Sequence, residues 1–264
     1  MHTNTQLTTK EVYQPIHHRI YLISNPSTNT ETALTLVNQL ISGVETSFPT
    51  AVRQPPWTLQ YRVFRGTLPS NYHPPTDAQG TPIQYAHTFQ HMLHLSSLEP
   101  NRTFICTQPP AGTSTVSAIP LNQQDSHISL LRNALAALWQ PRHALFIQAG
   151  TIYAGGVCTV QIAELRSKRD GAQSGAVQSP GVVVCISTAV GPDESDGITA
   201  QEEDALDFGD AQTIIREFWA RIKIGKDLGK ADVREIMMAP KYVQGLREKD
   251  AVARMWCDVL RLRG

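Results

Sequence analysis

The chain is dominated by short segments rich in β-branched and aromatic residues, separated by glycine, proline and asparagine. Such segments occur at 18–24, 55–66, 102–107 and 143–167, and an entirely apolar one begins at Val182. Strands that follow one another through tight turns pair in antiparallel order. The sequence therefore predicts an antiparallel sheet of about seven strands, in which the run from 143 to 167 forms a meander divided by its glycines.

Alternation within one of these segments predicts a half-buried strand. Trp57, Leu59, Tyr61 and Val63 fall on one face, and the other face is mostly polar. The segment from Tyr85 to Ser96 alternates imperfectly and is compatible with a strand or a helix. We favour a strand, because Tyr, Thr, Phe and Leu dominate it and a further strand follows.

Apolar residues at helical spacing predict about four helices around this sheet. The first predicted helix follows Thr28, and the second runs from Asp125 to Trp139. The third contains residues 211–222, and the fourth lies within Leu246–Arg263. Thr28 and Glu31 have the spacing of a capping box, and Pro141 lies just past the second helix. The predicted fold class is α+β, an antiparallel sheet flanked by these helices.

The predicted domain organisation is one domain with a short tail. Residues 1–15 are polar and predicted to be flexible, and 16–264 form a single α+β domain. Polar loops are predicted near 68–82, 167–180 and 190–206. No stretch approaches the roughly 20 apolar residues of a membrane helix, and the N-terminal residues lack a signal-peptide core. We expect a soluble intracellular protein without membrane contacts.

Charge and cysteine content narrow the possible partners. Lys+Arg and Asp+Glu are both 23, so the net charge is zero, whereas a protein that grips phosphate backbones needs a basic surplus. The four cysteines, Cys106, Cys158, Cys185 and Cys257, include no C-x-x-C pair. We expect buried free thiols in a reducing compartment and no direct sequence-specific binding of nucleic acid.

Histidines provide the first candidate for chemistry. His87, His91 and His94 have a spacing that a helix would place on one face as metal ligands, but the Glu of an H-E-x-x-H site is missing. On a strand, His87 and His91 would share a face and His94 would point away. Surface or half-buried histidines are the better interpretation, and no catalytic, metal or cofactor site is predicted.

Other catalytic patterns are equally weak. A triphosphate-tunnel-like, metal-dependent phosphohydrolase is the alternative function, but it needs several carboxylates on strands, and Glu164 stands alone. The segment from Gly225 to Lys230 follows a helix and lacks the Ser or Thr of a P-loop. It is more typical of a helix C-terminus that ends on glycine.

Two further features concern binding. There are two short basic clusters: Arg62 and Arg65 around Phe64, and Arg166, Lys168 and Arg169. Such short clusters are more often solvated loop charges than surfaces that bind nucleic acid. The last helix carries an apolar stripe formed by Val252, Met255, Trp256, Val259 and Leu260. This stripe either closes the core or binds a partner through an aromatic anchor with a basic rim. These five residues are the candidate partner-binding site.

The order of elements resembles subunit 20 of the Mediator complex, the TBP-related-factor family of the fungal type. The resemblance spans roughly Arg19 to Ile222. It rests on Leu138-Trp139, Arg142, the Gly-x-x-Tyr pattern of Gly150 and Tyr153, the strand from Val160 to Arg166, and the His- and Leu-rich strand before a phenylalanine-centred one.

This resemblance carries several implications. The sheet would form an incomplete antiparallel β-barrel with helices packed against it. The protein would be a nuclear, non-catalytic subunit of the Mediator head module, a stable heterodimer with subunit 18 and tied to subunit 8. Its role would be to couple regulators to RNA polymerase II through protein contacts.

Overall fold

The computed structural model describes residues 16–69, 71–168, 177–189, 200–226, 228, 231–238 and 247–261. In these residues the strands are β1 (Ile16–Ser24), β2 (Val52–Gly66), β3 (Phe89–Leu95), β4 (Arg102–Gln108), β5 (Thr115–Pro120), β6 (Trp139–Gly155), β7 (Cys158–Lys168), β8 (Gln178–Ala189) and β9 (Val233–Met237). The α-helices are α1 (Thr30–Ser47), α2 (Gln124–Ser129), α3 (Ala200–Ile222) and α4 (Glu248–Leu260).

All of these strands belong to one sheet, in the order β5-β4-β3-β2-β6-β7-β8-β1-β9. Every neighbouring pair is antiparallel, and β5 and β9 form the two edges of a sheet that does not close. The predicted α+β class with an antiparallel, incomplete sheet is confirmed. The prediction of seven strands missed β5 and β9, which are short and carry small or charged residues instead of a clear alternation.

One face of the sheet curves around α4. This helix contacts β3, β4 and β5 near one edge and β1 and β9 at the other. It supplies eight of the residues in the core cluster on this side, which also includes Trp57, Leu59, Tyr61 and Val63, as the alternation predicted. Because strands from both ends of the sheet reach the same helix, the sheet must be strongly curved with α4 on its inner side.

Two separate layers cover parts of the outer face. Helices α1 and α3 pack on β1, β7 and β8, where Tyr21 stacks on Trp219 with ring centroids 4.3 Å apart. Helix α2 and the π-helical turn after it, Leu130–Ala134, pack on Phe64 and Met92. Phe64, predicted on a mostly wet face, is therefore 1% exposed.

The beginning of α1 differs from the predicted capping box. The N-cap is Asn29, whose side chain accepts a hydrogen bond from the Glu31 amide at 2.9 Å. Thr28 lies one residue earlier in a left-handed conformation, with φ 51°. Asparagine is among the residues most strongly preferred at the N-cap, and Asn29 takes the capping role that the sequence assigned to Thr28.

The second predicted helix is much shorter than its apolar spacing indicated. Helix α2 ends at Ser129, a π-helical turn follows, and Leu138 is 59% exposed. Trp139 opens β6 instead of closing the helix, and Pro141 lies within that strand at a register irregularity opposite Phe64. A bulge is one of the few places where a strand accepts proline, which explains why Pro141 does not end the element.

The glycines of the 143–156 region do not all divide strands. β6 is a single strand of 17 residues that runs through Gly150, and the turn to β7 lies at Gly156, with φ 58°. Gly150 pairs with Trp57, and a Cβ atom on Gly150 would lie 2.1 Å from Trp57 Nε1. This glycine marks a close approach of side chain to backbone. Of the meander predicted for 143–167, the antiparallel pair of β6 and β7 is confirmed and the division at Gly150 was wrong.

The remaining predictions have mixed outcomes. β3 confirms a strand within the ambiguous 85–96 segment. Helix α3 begins at Ala200, so the loop predicted at 190–206 was wrong in its second part, where polar residues form the first turns of a long helix. Residues 1–15, 169–176 and 190–199 lie outside the described residues, and the single-domain boundary stays a prediction. No helix in the described ranges has both the length and the apolar character needed to cross a membrane.

Candidate interaction surfaces

The five residues predicted to bind a partner lie in the interior. Val252, Met255, Trp256, Val259 and Leu260 are between 0% and 2% exposed. The Trp256 indole meets the Trp57 indole edge-on, with centroids 5.8 Å apart. In this conformation a partner cannot touch these side chains, so direct binding by them stays a prediction that requires α4 to move.

The three candidate histidines do not converge. His91 Nδ1 lies 2.8 Å from the Tyr61 hydroxyl on the inner face, and burial lowers the pKa of His91 to about 4. His87 and His94 each pair instead with a backbone carbonyl oxygen, those of Gly66 and Arg102, at 2.7 and 2.9 Å. Across the described ranges, no group of three or more His, Cys, Asp or Glu is placed to hold a metal ion.

Glu164, the strand carboxylate considered for metal binding, is buried and paired with an arginine. Its side chain is 6% exposed and its Oε2 accepts a hydrogen bond from Arg166 Nε at 2.7 Å. Arg166 Nη1 donates in turn to Gln148 Oε1 at 2.8 Å, which ties β7 to β6. This carboxylate is therefore paired with an arginine of its own strand.

A buried arginine on β1 forms an ion pair with the edge strand β9, which the sequence did not predict. Arg19 is 0% exposed and donates to Glu235 of β9 at 2.9 Å and to the Tyr21 hydroxyl at 3.2 Å. A buried charge must be paired, and this pair joins β1 to the edge strand. The only signal in the sequence is an arginine directly before the apolar run Ile20–Ile23 of β1.

The cysteines behave as predicted. All four are free and buried. Burial raises the pKa of the Cys185 thiol to about 12, and it also raises the pKa of Cys257, which lies against Cys106. A buried thiol with a raised pKa is a poor nucleophile, so these residues serve as small apolar side chains.

The two edge strands of the sheet both contact α4, and we call the region between β5 (Thr115–Pro120) and β9 (Val233–Met237) the seam. Nine strands with antiparallel neighbours place the first and the last strand in the same direction. Both edges contact α4, which forms the floor of the gap. β5 contains no charged residue, although proteins commonly use charges to protect an exposed edge from strand addition.

A second surface lies on the outer face between the two helical layers. β2 and β6 form a groove of about 530 Å³, lined by Thr58 to Arg62 and by Ala144 to Gln148. A smaller cavity shares Arg62 and Ala144 with it and adds Arg132 and Arg142. We call this surface the arginine groove, because three arginines are among the described residues that line it.

The structure brings the members of the arginine groove together through strand register. Arg62 pairs with Ala144 across β2 and β6, so Arg142 lies near Arg62 although the two are far apart in the chain. The cluster predicted around Phe64 is divided instead, because Phe64 is buried beneath the α2 layer and Arg65 pairs with Gln140 at 3.2 Å.

These features define an α+β protein with one open antiparallel sheet, an internal helix and two candidate interaction surfaces. The family model described as "Med20: TATA-binding related factor (TRF) of subunit 20 of Mediator complex" matches residues 18–244. The chain belongs to this family of Mediator subunits, and the predicted resemblance is confirmed. Mediator regulates transcription by RNA polymerase II, which gives the chain its general role.

Several solved structures also match this chain. A chain from the "Structure of the Schizosaccharomyces pombe Mediator head module" is 11% identical, with 80% of this chain and 96% of that chain covered and a TM-score of 0.32. Among curated protein sequences, none matches this chain.

Proposed function

We propose that this chain is a non-catalytic interaction subunit of the Mediator head module, and that it binds subunit 18 through the seam. The observation that carries the proposal is the pair of sheet edges that run in the same direction on either side of α4. One extended segment placed between them would be antiparallel to both. It could therefore form backbone hydrogen bonds on both of its sides.

The chemistry of the edges supports this contact. The outer sides of β5 and β9 have no neighbouring strand in the described part of the chain. Backbone N–H and C=O groups along such an edge need a partner, which can be water or another chain. Val116 and Ala118 of β5 already pack against the inner core, so an added strand would extend an existing apolar surface.

The five residues of the α4 stripe act indirectly in this proposal. Their burial holds the helix against the core, and the helix contacts both β5 and β9. The partner then contacts the strand edges and the polar side of α4, and the stripe itself remains in the core. A tie to subunit 8 and a nuclear location belong to the same proposal, because the function is carried out within Mediator.

The position of α4 also bears on the alternative function. A tunnel hydrolase needs an open interior lined with carboxylates that hold divalent metal. Here the inner side of the sheet is filled by α4 and its apolar contacts, including Trp57 and Trp256. We therefore propose no catalytic activity for this chain.

Co-expression with a subunit 18 homologue from the same source tests the proposal. We expect a one-to-one complex that buries more than about 1,000 Å², the usual threshold for a specific interface. Alone, the chain should self-associate, since it has zero net charge and uncovered edges. A monodisperse monomer that ignores subunit 18 would contradict the proposal.

An edge variant makes the test specific for the seam. Thr115 and Ser117 are exposed residues of β5, and lysines at both positions should prevent strand addition. We expect the double variant Thr115→Lys/Ser117→Lys to keep its fold and lose subunit 18. Leu138→Lys, at a residue 59% exposed and outside β5 and β9, is the matched control and should bind normally.

A further inference from the structure

We propose that the segment of subunit 18 that enters the seam presents long polar side chains to α4 at every second position. The inference rests on the proposed contact with subunit 18 and specifies its chemistry. Two features of α4 carry it: the line of charged residues that the described chain leaves partly open, and the direction in which the helix runs.

The open line of α4 consists of three charged residues. Between Ala251 and Leu260 every residue is buried except Arg254 and Asp258, and Asp250 lies one turn before Arg254. Asp250, Arg254 and Asp258 are half-buried, and their spacing of four residues places them on one line along the helix. A helix inside a curved sheet stays open to solvent only where the sheet is open. Because α4 contacts both β5 and β9, we assign this charged line to the floor of the seam.

The charged line requires a polar cover. A carboxylate or guanidinium group that is covered loses its remaining water, which is unfavourable unless the covering groups form hydrogen bonds with it. This holds for residues that already have partners, such as Asp250, which lies 3.6 Å from Arg247, and Arg254, which interacts within the described chain. The requirement therefore does not depend on an unpaired charge.

Two contacts define the direction of α4. Near the start of the helix Lys249 donates to Glu99, which precedes β4, and just past its end Arg261 donates to Gln108, the last residue of β4, at 2.9 Å. Helix α4 therefore runs alongside β4 in the same direction. β5 is antiparallel to β4, so a segment that pairs in antiparallel order with β5 runs parallel to α4.

The spacing of the charged line matches that of a strand. Four residues of a helix advance about 6 Å, and two residues of a strand advance about 6.7 Å. Every second side chain of a strand points to the same side. Three successive side chains of the bound segment that point inward can therefore each meet one member of the charged line, in the order Asp250, Arg254, Asp258.

The edges of the seam determine the length of these side chains. Val116 and Ala118 of β5 and Ile236 of β9 are partly buried and pack on the inner core. A side chain that reaches the charged line from an added strand passes these apolar neighbours first. Gln, Glu, Lys and Arg combine an apolar stem with a polar end group, so they suit both surroundings. Shorter polar residues would not reach α4, and apolar residues would cover its charges.

Variants of the charged line test the inference in the complex with a subunit 18 homologue. We expect Arg254→Leu/Asp258→Leu to weaken binding at least about tenfold, because the polar end groups of the partner lose their hydrogen-bonding partners. Arg254→Gln/Asp258→Asn keeps hydrogen-bonding groups and should bind within about threefold of the wild type. The matched control is Arg216→Leu/Glu217→Leu, at exposed residues of α3, and should bind normally.

Binding of the leucine double variant that equals or exceeds that of the wild type would overturn the inference, because it would show an apolar cover. If this variant does not fold, Asp258→Leu alone carries the test with the same two outcomes.

Amide hydrogen exchange of subunit 18 gives a second measurement. The segment that becomes protected together with β5 should carry long polar residues at three alternate positions, and apolar residues at both alternating sets would overturn the inference.

The edge variant Thr115→Lys/Ser117→Lys separates this inference from the proposed contact. If the edge variant loses subunit 18 and the leucine double variant does not, the seam contact stands and the inference fails. If the edge variant binds normally, the proposed contact fails and the inference fails with it.

Discussion

Gly150 lies where β6 passes over the indole of Trp57, and its missing side chain is what allows that contact. A Cβ atom there would meet Trp57 Nε1 at 2.1 Å and Trp57 Cε2 at 2.4 Å. Trp57 is 1% exposed and packs in turn on Trp256 of α4. The glycine of the Gly-x-x-Tyr pattern therefore supports the contact between sheet and internal helix.

Gly150→Ala should destabilise the protein by about 1–3 kcal/mol, the usual cost of overpacking a core. Chemical unfolding measures the change. Gly209→Ala is the control, because Gly209 lies in α3 with nothing within 4 Å of the added Cβ, and alanine there should be neutral or slightly stabilising. Equal stability of Gly150→Ala and the wild type would show that Trp57 does not pack on β6 as described.

Half-buried His18 and buried His91 should make stability depend on pH. Burial, with His17 as a second cause, lowers the pKa of His18 to about 4, and burial lowers that of His91 to about 4. Both are near 6.5 in an unfolded chain, so the unfolded state binds more protons as pH falls below 6.5. The stability that depends on these two histidines is fully present above pH 6.5, and it is lost progressively as the pH falls to about 4.

At pH 5 each of these histidines should lower the free energy of unfolding by about 2 kcal/mol relative to pH 7. Urea unfolding at the two pH values measures the loss. His18→Gln/His91→Gln should flatten the dependence, and His73→Gln, at an exposed histidine, should preserve it. A pH slope unaffected by the double substitution would contradict the lowered pKa of these two histidines.

Helix α4 carries a larger share of the fold than its position near the C-terminus indicates. It begins at Glu248, beyond residue 244 where the family match ends, yet its side chains fill the inner side of the sheet. Only a polar stripe that includes Lys249 and Asp258 is not fully buried. Such a helix is a core element, and its removal should abolish cooperative unfolding.

Trp256→Ala tests this role of α4. We expect a loss of about 3–5 kcal/mol, as for other buried large side chains. The control is Lys249→Ala, which removes only a surface contact with Glu99 and should change stability little. Truncation from Asp250 onward should leave an unfolded or aggregated chain. A truncated chain that stays folded and loses only its partner would instead assign α4 to the interface.

Local patterns were sufficient to predict several elements but not their limits. The alternation of Trp57, Leu59, Tyr61 and Val63 predicted the inner face of β2, since burial of a strand follows a simple period. The helical spacing that ends at Leu138 and Trp139 was misleading, because strand pairing of β6 with β2 continues to Trp139. Long-range pairing of this kind overrides local propensity.

The arginine groove shows why a surface is harder to predict than an element. Arg62, Arg132 and Arg142 come from a strand, a π-helical turn and another strand. They share one surface only because Arg62 pairs with Ala144 across β2 and β6, and because the π-helical turn lies beside this pair of residues. Neither the strand order nor this register can be worked out from composition and spacing alone. The seam likewise depends on β5 and β9, two strands with weak patterns.

At the level of the whole molecule, a curved sheet surrounds one helix and remains open along one side. An even number of antiparallel strands can close into a barrel, whereas nine leave two edges with the same direction. Arg19 and Glu235 hold β9 at its edge, and α4 spans the distance to β5. A partner strand is therefore the simplest way to complete the sheet.

Amide hydrogen exchange of the complex with a subunit 18 homologue tests this account most directly. The account predicts that amides on the outer edges of β5 and β9 exchange quickly in the free chain and become protected together when subunit 18 binds. The central strands β6 and β7, which are paired on both sides, serve as the internal reference and should change little. A stable complex that leaves the exchange of β5 and β9 unchanged would contradict the claim that the seam is the binding surface.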